Sequence, residues 1–101
     1  MDTDILERFR RLAATLSTEQ RAMLAAIFRL ILDCQKCIAS HDRLSEVTPD
    51  QPPRDVEHFR VAIHRLGKLA PLVATGEMGG REFSRAMGEL IEYIETETAN
   101  Q

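Results

Sequence analysis

The chain has 101 residues, 44% of them hydrophobic and 29% charged, with a formal charge of −3. That length suits one domain, and the balance is that of a globular rather than a disordered chain. The slight acidity offers no general attraction for nucleic acid or an anionic membrane surface. No apolar run approaches the ~18 residues of a membrane span, and the acidic opening Met1-Asp2-Thr3-Asp4 is unlike a secretory leader. The cytoplasm is therefore the expected compartment, and two cysteines there are expected to be reduced thiols. With no Trp, one Tyr and four Phe, the core must be aliphatic. A chain of this size buries about 65% of its unfolded surface, enough for one modest core without staples.

The first predicted helix covers residues 2–15. Asp2 or Thr3 can cap it, and Asp4 and Glu7 suit its positive end. Ile5, Leu6, Phe9, Leu12, Ala13 and Leu16 recur at three and four and make one apolar face, with Arg8, Arg10 and Arg11 outside it. Almost no linker follows, so a tight corner leads into the second helix.

That second helix, Ser17–His41, is the stretch around which the rest must pack. Ser17 followed by Gln20 is a capping-box pattern, and no Gly or Pro interrupts the run. At about 100° per residue its apolar side chains cover an arc of roughly 220°, far wider than the ~100° stripe of an ordinary surface helix. Two faces result. Met23, Ile27, Leu30, Cys34 and Ile38 form one, and Leu24, Phe28, Ile31 and Leu32 form the other. One face can seal a monomer core, leaving the other for a twin or a target.

Asp42–Pro53 carries three prolines and reads as a loop crossing one end of the molecule, with Leu44 and Val47 tacking it down. A third helix is expected from about Arg54 to Ala74, opened by Pro53 and striped by Val56, Phe59, Ile63, Leu66, Ala70 and Val73. Gly67 and Pro71 stand four apart, which predicts a kink or an early stop. Gly76 is placed to end it as a left-handed cap. The last helix, about Arg81–Thr98, turns Phe83, Met87, Leu90, Ile91 and Ile94 inward. Glu82, Glu89, Glu92, Glu95 and Glu97 face water. The expected fold is all-α, a four-helix bundle-like domain of two helical hairpins with helix 2 central, spanning residues 1–101 as one domain.

The sharpest chemical motif is Cys34-Gln-Lys-Cys37 with His41, three metal-type ligands on one helix face. Cys34 and His41 would lie about 10 Å apart along the axis, too far to share one ion whose bonds are about 2.0–2.3 Å. A redox pair belongs at a helix N-terminus, where the dipole lowers the thiol pKa, and this pair lies toward the other end. Both cysteines are therefore expected to be small core residues. His58 and His64 are six apart and point different ways on helix 3, so each is expected at the surface or partly satisfied.

Ser40-His41-Asp42 is adjacency, not triad geometry. No Glu-x-x-His pair supports a di-iron bundle, and Gly79-Gly80 lacks the consensus of a phosphate loop. Residues 1–41 carry six basic and five acidic side chains, and residues 42–101 carry seven and eleven, too little asymmetry for a DNA-reading helix.

The expectation is thus a non-enzymatic, cofactor-free regulator or adaptor that binds another protein, inhibitor-, anti-activator- or chaperone-like, and acts as a homodimer. Leu24, Phe28, Ile31 and Leu32 are its binding face. A metal-binding or thiol sensor built on Cys34, Cys37 and His41 is the alternative, and a small transcriptional regulator is a third.

Overall fold

The sequence forms helices in four places: α1 (Asp2–Ala14), α2 (Thr18–Val47), α3 (Glu57–Ala74) and α4 (Gly80–Ala99). The structure, a computed structural model, describes residues 2–47 and 56–100, with the backbone alone at residues 2, 3, 9 and 42–47. No strand occurs among the described residues, and the architecture is all-α and bundle-like.

The capping box that opens α2 is formed in both directions. The Gln20 N–H donates to Ser17 Oγ at 3.0 Å, and the Ser17 N–H donates to Gln20 Oε1 at 2.8 Å. At its other end α2 runs six residues past the expected stop at His41, to Val47. The reason is local. Residues 42–47 contain neither Gly nor Pro, so nothing in that stretch breaks the helix. The expected roles of Pro53 and of the Leu44 and Val47 side chains lie outside the described residues.

Helix α3 begins at Glu57 after Val56 and continues through Pro71 to Ala74, so the expected early stop does not occur. Pro71 sits near the end, where it removes one donor and only a few helical residues remain to be disturbed. The helix closes as the sequence predicts. Gly76 takes φ +80°, its N–H donates to Val73 O at 3.1 Å, and the Met78 N–H donates to Leu72 O at 3.0 Å. Any L side chain at position 76 would strain that turn.

The buried apolar residues are Met23, Ile27 and Cys34 from α2, Ala62, Leu66 and Val73 from α3, and Leu90 from α4. The Met23/Ile27/Cys34 face of α2 thus seals the core, as its periodicity predicts. α2 and α3 share the largest interface and run antiparallel, while α4 leans on α3 and more lightly on α2. α2 also reaches α1, through the Arg21 Nε–H donated to Ala13 O at 3.2 Å. It therefore touches every other helix. The molecule measures 51 × 37 × 16 Å between Cα extremes. Sixteen ångströms is the depth of about two packed helices, whose axes stand 8–10 Å apart.

Two expectations of burial are corrected. In α1, Ile5 (62%), Leu6 (54%) and Leu12 (58%) stand largely in solvent. Among the described side chains of the expected face, Ala13 and, just past the helix, Leu16 are half-covered, and the Phe9 side chain lies outside the described residues. Among the described residues it is the C-terminal end of α1 that meets α2, which leaves its earlier turns uncovered by the other helices. In α4, Ile91 is exposed while Leu90 is buried. Adjacent residues point about 100° apart, and α4 has one principal neighbour, so it buries one of the two. Tyr93 is half-buried, with the Arg65 guanidinium 4.8 Å from its ring centre.

The first turn of α2 also fastens the α3–α4 connection. The half-buried Gln20 amide donates to Val73 O at 3.0 Å and to Ala74 O at 3.4 Å, at the negative end of α3. Beside it the Glu19 carboxylate lies so close to Gly80, the first residue of α4, that a Cβ there would collide with it. An acid belongs at that positive helix end. Neighbouring residues thus carry an amide to one helix terminus and a carboxylate to the other.

Candidate functional site

The second apolar face of α2 is divided by its surroundings. Leu24 and Ile31 are half-buried against the core, whereas Phe28 (57%) and Leu32 (50%) project into solvent. Leu24 and Phe28 form the floor of an open groove of about 320 Å³. Leu12, Ala13 and Leu16 make one wall. Gly67, Ala70, Pro71 and Ala74 of α3 make the other.

The groove exists because of side-chain size. Positions 67, 70, 71 and 74 follow the i, i+3, i+4, i+7 repeat of one helix face, and none carries more than three side-chain carbons. A helix face that small leaves a trough beside a neighbour as large as Phe28. Gly67 would meet nothing within 4 Å if it gained a Cβ, which confirms the open space. The sequence signal was there in the four small residues. Taken for their backbone effect alone, Gly67 and Pro71 suggest a helix break and hide the face.

The chain matches no family model, no curated protein and no solved structure.

The cysteine motif does not assemble. Cys34 is buried in the core and Cys37 is exposed, which corrects the expectation that both would be interior; His41 is half-buried. Three residues of helix turn a side chain by about 300°, enough to carry Cys37 off the edge that α3 covers. Among the described residues no three His, Cys, Asp or Glu side chains stand together as a metal site. Burial pushes the Cys34 thiol up from its ordinary range, and the neighbouring Cys37 and Asp33 push in the same direction.

A thiol reagent at neutral pH is therefore expected to modify one cysteine per native chain quickly, Cys37, and Cys34 only after unfolding in guanidinium. Two fast thiols in the native protein would contradict this burial. Because folding raises the Cys34 pKa, the stabilisation from its neutral form is complete below the ordinary thiol pKa. It is lost as the pH climbs through the raised value.

The histidines also part. His64 is exposed, but His58 is buried, with Nε2 3.1 Å from Thr98 Oγ1. The Thr98 hydroxyl proton is already directed to Ile94 O at 2.7 Å, so His58 Nε2–H is the donor of this bond. The ring also stacks on Phe59, with centroids 4.1 Å apart. The contact ties the start of α3 to the end of α4, a structural duty.

Another cleft, of about 280 Å³, lies between α3 and α4, bordered by Arg65, Lys68 and Glu89. The carboxylates of Glu82, Glu89, Glu92, Glu95 and Glu97 are all exposed along α4, as the sequence predicts. No helix among the described residues is long and apolar enough to cross a membrane.

Proposed function

We propose that this protein is a non-enzymatic regulator or adaptor that binds protein through the apolar groove bounded by α1, α2 and α3. The observation that carries the reading is the exposure of Phe28 and Leu32 on one helix edge, continuous with a trough whose walls are almost entirely apolar. Large apolar side chains gathered on one face are favourable to cover, at about 25 cal/mol per Å² removed from water. A pocket for chemistry would bring titratable groups together, and this one is lined by Leu, Phe, Ala, Gly and Pro. The cytoplasm is the compartment that suits such a module with an exposed thiol at Cys37.

The binding face proposed from the sequence, Leu24, Phe28, Ile31 and Leu32, is here extended to the groove walls, and Ile31 becomes a supporting core contact. An ultraviolet cross-linking amino acid at position 28 tests it in living cells, with the same group at Glu92 on the acidic face as control. A protein trapped from position 28 and not from position 92, and lost when Leu24→Glu is added, supports the groove. Equal trapping from both positions defeats it.

A further inference from the structure

Resting on that reading, we infer that the occupant of the groove face is a second copy of this chain, joined about a two-fold axis so that α1 of each copy covers the exposed edge of α2 on the other. The area is right. Ile5, Leu6, Leu12, Phe28 and Leu32 are each about half exposed. Together they offer on the order of 500 Å² of apolar surface, at about 100 Å² apiece. A standard interface takes about 800 Å² from each partner, and in homodimers about 65% of it is apolar. That is also roughly 500 Å².

The shape is right as well. A two-fold interface must be self-complementary, and this face carries both a ridge, the bare stripe of α1, and a receiving surface, the groove and the Phe28/Leu32 edge of α2. Neither is completed by anything among the described residues.

Charge selects this face over its rival. α1 carries Asp2, Asp4 and Glu7 against Arg8, Arg10 and Arg11, a balanced set that does not repel its own copy. The exposed α4 surface from Glu89 to Glu97 carries four carboxylates and no basic residue, so it would meet itself with like charge across a two-fold axis.

Sedimentation equilibrium on the full chain at 5–100 µM (about this range suits a micromolar-or-tighter dimer) tests the inference. Wild type should weigh twice the 11.4 kDa chain. Phe28→Glu and, separately, Leu6→Glu should each weaken association at least tenfold, with helical circular dichroism unchanged, while Glu92→Ala should not weaken it. Leu6 is 54% exposed and Phe28 57%, so neither substitution places a charge in the core. A wild-type monomer at 100 µM overturns the second-copy inference, and cross-linking of a different protein from position 28 would then leave the protein-binding reading standing. A dimer unmoved by both substitutions, or an assembly larger than two, overturns it equally.

Discussion

An Ile27→Asp chain is expected to have lost its helical circular dichroism at room temperature, whereas Leu32→Glu, five residues further along α2, keeps it. Ile27 is 0% exposed and sits among Met23, Cys34, Leu66 and Val73. Even Ile27→Ala would cost about 2–5 kcal/mol in lost transfer energy and cavity. An unpaired carboxylate in the same place adds several kcal/mol more, against a total stability of only about 5–15 kcal/mol for a domain of this kind. Leu32 is 50% exposed, and a charge there reaches water, so its effect on the fold of one chain stays within about 0.5 kcal/mol. Spectra of the two variants at 25 °C decide the matter. If Leu32→Glu unfolds, the second face of α2 is core, and binding must be sought elsewhere.

The second large effect concerns where the chain can be cut. Residues 1–47 alone are expected to show no cooperative thermal transition, whereas residues 15–101, lacking α1, are expected to melt cooperatively as a monomer. α2 finds most of its burial against α3. Removing α3 exposes Met23, Ile27 and Cys34 together, and α1 contributes no residue to the buried set among the described side chains. What remains is two helices with too little mutual burial to offset the entropy of ordering them. Among the described side chains, deleting residues 1–14 takes away the half-covered Ala13 and the Arg21–Ala13 contact, and Leu16 stays with the fragment. Thermal melts of the two fragments measure it directly. A cooperative transition from residues 1–47 would show that α1 and α2 form a unit by themselves.

The features legible beforehand were those decided within a few residues. Ser17 and Gln20 announced a helix start because both partners of a capping box lie in one turn. Gly76 announced a left-handed stop because few other residues accept positive φ. The two faces of α2 followed from periodicity alone, and the structure buries the Met23/Ile27/Cys34 side.

What periodicity cannot supply is the partner. It gave α1 an apolar stripe but not a second helix to lay it on, so Ile5 and Leu6 were expected inside. The same limit applies to Ile91, whose neighbour Leu90 takes the one available surface. Gly67 and Pro71 act on the backbone, but their smallness matters as much. The groove comes from what those side chains lack, and absence of volume leaves no hydrophobic period to detect. His58 was missed for a similar reason. Its partner Thr98 is forty residues away, and nothing local announces that pairing.

Glu19 and Gln20 have a consequence for which parts of the chain open together. Helix ends ordinarily fray one by one, and their amide protons exchange with solvent almost freely. Here the start of α2 is tied to Val73 and Ala74, over fifty residues away, and abuts Gly80 at the start of α4. Opening the first turn of α2 releases the end of α3 and the start of α4 together. Amides from residue 76 to residue 83 should therefore share one protection factor with those of the first turn of α2. That turn reads as the latch of a single cooperative opening unit, not as the loose end of a helix.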